Sequence, residues 1–217
     1  MSTLHLVDPS LLPLLELMPG GGFSAETLPE IRVQSEQRFA FLGEPVLLPE
    51  VKVIEGPDGP LEIYWYDPSP GQTGRPALYH IHGGGMIIGS AKSMQHGPAG
   101  MAAALGIPVA SVEYRLAPEH PFPAPQEDCL AGLNWLAANA EQLGVDPARI
   151  AIIGESAGGG LAGQGLGRRH QRCDAVDLHA GGLQGLQLAG QPGAVGHGQP
   201  GRRPASCAGR ASTAVPA

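Results

Sequence analysis

Two glycine-bearing segments each follow directly on a short apolar run, and this placement limits the folds open to the chain. His82-Gly83-Gly84-Gly85 comes straight after Ala77-Leu78-Tyr79-His80-Ile81. Gly154-Glu155-Ser156-Ala157-Gly158 comes straight after Ile150-Ala151-Ile152-Ile153 and leads into a helix-compatible stretch. Short apolar runs bounded by glycine read as buried strands. A serine between two glycines at the end of such a strand reads as a tight strand-to-helix elbow, which holds the hydroxyl out at the edge of a sheet.

Other periodicities fit the same architecture. Val51–Glu55 and Leu61–Tyr66 are strand-like runs around Gly56-Pro57-Asp58-Gly59-Pro60, a hairpin signal. Ile107–Val112 is a further strand. Pro125–Leu143 carries Leu130, Leu133, Leu136 and Leu143 at helical spacing and stops at Gly144. Asp8–Met18 can form a short helix with Leu11, Leu12, Leu14, Leu15 and Met18 on one face, stopped by Pro19-Gly20-Gly21-Gly22. Strands alternating with helices between Leu78 and Ile153 predict an α/β fold with a predominantly parallel sheet flanked by helices. Three regions follow: a helical N-terminal segment (1–45), an α/β core (46–163) and a compositionally distinct tail (164–217).

Gln164–Ala217 contains no Lys, Glu, Ile, Met, Asn, Phe, Tyr or Trp, and its leucines are Leu166, Leu178, Leu183, Leu186 and Leu188. Such a segment buries too little apolar surface to offset its ordering entropy, so the C-terminal strands of the fold are expected to be missing or replaced by a disordered tail. Off-frame reading of GC-rich codons yields the same composition. The change falls inside a helix that should continue, which favours a frameshift over a natural tail.

The net charge of −7 argues against nucleic-acid binding. No apolar stretch approaches the roughly 20 residues that span a bilayer. Cys129, Cys173 and Cys207 are odd in number and lack metal spacing, and the first residues lack a basic leader. These features predict a cytoplasmic protein with neither metal nor cofactor.

The two motifs have complementary chemistry. An acyl carbonyl needs a nucleophile, a base and donors aimed at the developing oxyanion. Ser156 at a helix N-terminus is the candidate nucleophile, the Ala157 amide the first donor, and Gly83–Gly85 offer further amides in a loop whose backbone can approach a substrate closely. No Gly-Lys-Ser/Thr follows the glycine run, so it is not a P-loop. Each motif has a plainer reading: a chance match in a glycine-rich chain, and a flexible turn. His82 precedes Ser156, whereas the base of such an elbow follows it, so His82 is expected to fix the loop by hydrogen bonding.

These motifs resemble those of the hormone-sensitive-lipase-like branch of the α/β-hydrolases, bacterial esterases carrying H-G-G-G and G-[DE]-S-A-G-G. The resemblance covers about residues 4–163, the N-terminal half of such an enzyme. Val112-Glu113-Tyr114-Arg115-Leu116-Ala117-Pro118-Glu119-His120-Pro121-Phe122-Pro123-Ala124 and Gly144-Val145-Asp146-Pro147-Ala148-Arg149-Ile150-Ala151 extend it. It implies a carboxylic ester hydrolase acting on a small-molecule ester through an acyl-enzyme, with Ser156 as nucleophile and Gly84, Gly85 and Ala157 as oxyanion donors. It also implies a cap built by the N-terminal helices, where Leu11–Met18 either faces substrate or packs as an ordinary surface helix. Met86 stands where an aromatic residue usually follows the glycines. The family's acidic residue and base histidine are not recognisable after Ser156. His170 would lie about 21 Å along the helix axis from the serine. His179 and His197, with Asp174 and Asp177, have no strands to position them. Impaired activity is therefore expected of this chain, with an inactive remnant or a small-ligand binding module as the alternatives.

Overall fold

The computed structural model describes residues 4–12, 23–40, 42–163 and 175–177. Six strands, β1 (Glu50–Gly56), β2 (Gly59–Tyr66), β3 (Arg75–Ile81), β4 (Val109–Val112), β5 (Val145–Gly154) and β6 (Ala175–Asp177), form one sheet in the order β1-β2-β4-β3-β5-β6. β1–β2 and β2–β4 are antiparallel; β4–β3, β3–β5 and β5–β6 are parallel. The helices are α1 (Leu28–Ala40), α2 (His96–Leu105), α3 (Ala124–Ala138) and α4 (Ala157–Leu161). No helix among the described residues is long and apolar enough to cross a membrane.

Side-chain alternation divides the core between the two faces of the sheet. Ile63, Trp65, Tyr79, Ile81, Ala110 and Val112 pack with Cys129, Leu133 and Leu136 of α3 on one face. Their strand neighbours Tyr64, Tyr66, Leu78 and Val109 pack with Ala99, Met101 and Ala102 of α2 on the other. The strands are apolar on both sides because both sides are covered, as a parallel sheet requires. Two partly buried ion pairs lock the frame. Arg75 pairs with Asp67 and also donates to the carbonyls of Ser69, Leu143 and Gly144. Arg115 pairs with Asp128 through two side-chain bonds of 2.8 Å, and the Arg115 amide donates to the same carboxylate at 2.9 Å.

Differences from the expectations have local causes. The Asp8–Met18 helix is described only over Asp8–Leu12, where Pro9–Leu11 forms a short 3-10 turn capped by Asp8, and Leu11 and Leu12 are exposed. Leu14, Leu15 and Met18 lie outside the described residues. The helix of this segment is instead α1, which lacks an apolar stripe and was not expected; Leu28 is its buried anchor. α2 was also unforeseen, because Pro98, Ala99 and Ala102 rather than large apolar side chains fill its inner face; left-handed Gly106 (φ 67°) ends it. α3 stops at Ala138, where the Asn139 side chain donates to the Trp135 carbonyl, and a separate turn reaches Gly144. In 164–217 the expectation of no strand pairing fails at Ala175–Asp177, which pairs with Ile152–Gly154; the remainder of that segment lies outside the described residues.

Gly132 in α3 gives a test of packing against propensity. A Cβ there would sit 2.4 Å from the Tyr79 hydroxyl oxygen and 3.0 Å from Ile63 Cδ1. Helix propensity favours Gly132→Ala by about 1 kcal/mol. Tyr79 cannot yield cheaply, since it is fully buried and donates to the Cys129 carbonyl at 2.8 Å. Overpacking of about 1–3 kcal/mol wins. Thermal unfolding followed by circular dichroism should give a lower Tm for Gly132→Ala; a higher Tm would mean that α3 can shift off the sheet.

Glu113, just after β4, sets a pH dependence. Burial pushes its carboxyl up to about 7, assisted by the nearby Glu62 and Glu36 and opposed by hydrogen bonds from the Lys92 and Ala91 amides. A carboxyl raised in the folded state stabilises it fully below the ordinary value of 4.5, and that stability is lost as pH rises through about 7. The contribution is up to about 3 kcal/mol. Buried His82, pushed down to about 4, acts in the opposite sense on the acid side of this range. The diagnostic is therefore a difference: Glu113→Gln should gain stability relative to the native chain between pH 5 and 8 in urea melts. A constant difference across that range would contradict the assignment.

Candidate active site

β5 runs into α4 through an elbow at Ser156, whose backbone (φ 53°, ψ −115°) lies in a region that L-residues rarely occupy. Glycine makes the turn possible. A Cβ at Gly154 would lie 2.3 Å from the Gly158 carbonyl carbon, and one at Gly158 would lie 2.1 Å from the Ile81 carbonyl oxygen. α4 reads Ala-Gly-Gly-Gly-Leu, a poor helix former. It is held by burial of Leu161 and Ala162 and by bonds from Gly158 N to Glu155 O and Gly160 N to Ser156 O. The Ser156 side chain is left exposed at the C-terminal end of the parallel strands.

The glycine loop after β3 lies against this elbow. A Cβ at Gly83 would sit 2.8 Å from the Glu155 carbonyl oxygen and 3.6 Å from Ser156 Cβ. Gly84 (φ 111°), Gly85 (φ 66°) and Met86 (φ 62°) carry the loop round, and the Ile87 and Ile88 amides both return to the Gly84 carbonyl. Among the described residues, the Gly84, Gly85 and Ala157 N–H groups donate to no backbone carbonyl. Free N–H groups beside a serine hydroxyl can receive negative charge that develops on an acyl oxygen.

His82 is fully buried beneath the loop. Its Nδ1–H donates to the Gly83 carbonyl at 2.8 Å, and its ring stacks on Tyr114 with centroids 4.1 Å apart. Tyr114 in turn donates its hydroxyl to the His82 carbonyl at 2.9 Å. Burial lowers the imidazole to about 4, against the opposing pull of the Gly83 bond, so the ring is neutral at physiological pH. A neutral ring that donates through Nδ1 braces the loop and makes no hydrogen bond to Ser156.

Arg32 of α1 was not foreseen. It donates to the carbonyls of Ile87 and Ala117 and makes a two-pronged pair with Glu119, every bond at 2.8 Å. The Ala117 amide completes the brace by donating to the Met86 carbonyl at 2.9 Å. α1 is thus tied to the back of the glycine loop by one planar guanidinium, and an arginine in a polar helix carries no sequence sign of that task. Tyr114 was within reach, since it lies in the Val112–Ala124 stretch singled out above.

Ser156, Gly84, Gly85, Ala157 and His82 are all brought to this one edge of the sheet. Among the described residues no histidine follows Ser156. His170, His179, His197 and Asp174 lie outside the described residues. Asp177 ends β6 in register with Gly154, two positions before the serine.

Residues 78–185 match the family model described as an α/β hydrolase fold. Carboxylesterase NlhH of Mycobacterium tuberculosis is 39% identical over 165 residues, covering 72% of this chain and 50% of its own. Hormone-sensitive lipase of Mus musculus is 40% identical over 96 residues, covering 43% of this chain and 13% of its own. The solved structure titled Bacterial Heroin Esterase is 39% identical with a TM-score of 0.68, covering 78% of this chain and 55% of that one. The chain therefore belongs to the α/β-hydrolase fold family. Within that family it falls in the hormone-sensitive-lipase-like branch. It spans about half the length of curated relatives such as NlhH.

Arg32→Lys checks the brace. A lysine is a point charge and cannot fork between two carbonyls and a carboxylate. Hydrogen exchange read by mass spectrometry should be faster at residues 84–88 in this variant, with strands β3 and β5 unaffected. Unaltered exchange in the loop would show that Arg32 does not hold it.

Proposed function

We propose that this chain carries the acylation centre of a carboxylic ester hydrolase acting on small-molecule esters. The observation that carries the reading is the contact of the Gly83 backbone with the Ser156 elbow, which puts free amides and a strained, exposed hydroxyl side by side. Ser156 Oγ adds to the ester carbonyl, and the Gly84, Gly85 and Ala157 amides bind the oxyanion that forms. Collapse expels the alcohol and leaves an acyl-serine, which water hydrolyses. Each oxyanion donor is worth about 10²–10³ in rate. His82 keeps the loop in register for this task and stays neutral. The esterase titles among the relatives support the same reaction class.

The proton of Ser156 needs a base, and this role is assigned to no residue of 164–217. We take that segment to be out of frame with the helix that starts at Ala157, and residues 1–45 to contribute a cap over the acyl pocket. The coding DNA around codon 164, read in all three frames, checks the first point. The cysteine content favours a cytoplasmic location. A second reading is a ligand-binding module that keeps the pocket without turnover.

Labelling by a fluorophosphonate separates the two. The 217-residue chain should react slowly at Ser156, and Ser156→Ala should abolish the labelling. Hydrolysis of a short p-nitrophenyl ester should be weak, because a serine without its base stays protonated, though oxyanion binding alone can leave about 10³-fold acceleration over water. Replacing His170, His179 and His197 by Ala in turn should change nothing. Robust turnover that depends on Ser156 and on one of these histidines would show that the chain holds a complete triad.

A further inference from the structure

Below the elbow, on the α2 face of the sheet, three polar side chains form a chain that the reaction described above does not use. His80 on β3 and Ser111 on β4 are register partners, and both are buried. His80 Nδ1 lies 2.8 Å from Ser111 Oγ, and His80 Nε2 lies 3.3 and 3.2 Å from the two carboxylate oxygens of Glu155. Glu155 is the residue immediately before Ser156. We propose that His80 and Glu155 are positioning residues for Ser156: the Ser111–His80–Glu155 relay anchors the residue preceding the serine and so sets the strained backbone of the elbow. This rests on the reading of Ser156 as the nucleophile.

The geometry carries the argument. A carboxylate only accepts hydrogen bonds, so His80 presents Nε2–H to Glu155. That hydrogen bond is charge-assisted, of the stronger kind. His80 itself is fixed, since β3 is paired on both sides, the ring is buried and its Nδ1 is held by Ser111. The first turn of α2 closes the other side of the carboxylate, where a Cβ at Gly97 would lie 3.7 Å from Glu155 Oε1. The Glu155 main chain is held as well: its carbonyl accepts from the Gly158 amide at 2.9 Å and touches Gly83. One residue therefore joins the relay, the elbow turn and the glycine loop. Between Gly154, which has no side chain, and Ser156, which must stay free, Glu155 is the one side chain by which the sheet can grip the turn.

An apolar residue at position 80 would suit a merely structural site, so the test compares apolar and donor replacements in the 217-residue chain. The readouts are the Ser156 and Ala157 amide resonances in 15N-labelled protein and the rate of Ser156 phosphonylation by a fluorophosphonate. His80→Leu should displace both resonances and slow phosphonylation by up to about 100-fold, the loss that a misplacement of about 1 Å can cause. His80→Gln, which can offer an N–H to Glu155, should restore both. If His80→Leu does not fold, Glu155→Ala removes the half-exposed end of the relay and should displace the same resonances. Resonances unchanged in Glu155→Ala, or displaced in His80→Leu and not recovered in His80→Gln, overturn the proposal. If the resonances respond as expected while Ser156 of the native chain takes no phosphonate, the relay stands and the esterase reading falls.

Discussion

The structure depends on a close approach of backbone to backbone, between the end of β3 and the turn after β5. Gly158 lies against the Ile81 and His82 carbonyls, and Gly83 lies against the Glu155 carbonyl. Any side chain at these positions would drive the two strand ends apart. The parallel pairing of β3 with β5 brings both turns out at the same edge of the sheet, because parallel strands end on the same side. Glycine spacing and strand direction together put the loop and the serine in contact. A hydroxyl and unpaired amides become neighbours as a consequence of packing.

That arrangement is costly, and its support is polar as much as apolar. A non-glycine residue at positive φ carries roughly 1–3 kcal/mol of strain, and each glycine in α4 weakens the helix by about 1 kcal/mol relative to alanine. Burial of Leu161 returns about 2–3 kcal/mol, too little to hold the turn alone. The rest falls to hydrogen bonds around the two loops. His82, stacked on Tyr114, holds the Gly83 carbonyl, and Arg32 holds the Ile87 carbonyl. Leaving any of these buried carbonyls unpaired costs about 1–3 kcal/mol, so the loop is stiff for reasons outside itself.

The parts that could be read from sequence are those set by local pattern. The β3, β5 and α3 runs show their periodicity directly, and the two motifs declare their turns because only glycine fits them. β1 and β2 were legible through the Pro57-Asp58 hairpin. α1 and α2 were not, since neither has a strong apolar stripe: Arg32 fastens α1 by polar bonds to residues far along the chain, and α2 uses alanine to approach the sheet. Long-range polar contacts leave no period in sequence. His80 is an intermediate case. A histidine inside the apolar run Ala77–Ile81 advertises a buried polar partner, but only the strand order reveals that Ser111 and Glu155 lie on either side of it.

The same reasoning explains why the loop, the elbow and His82 form one unit while the base would not belong to it. Everything that shapes the serine and its amides comes from β3, β4, β5, α1, α2 and α4, elements contained in residues 28–161 and cross-linked by Arg32, His80 and Tyr114. A general base in an elbow of this type approaches from a loop that follows the nucleophile in the chain, and it needs no contact with these braces to be placed. On the function proposed above, oxyanion binding and proton transfer would be built by separable parts of the sheet. The first can persist in a chain whatever follows Gly163, because its geometry is determined by glycine contacts and buried polar bonds already closed by that point.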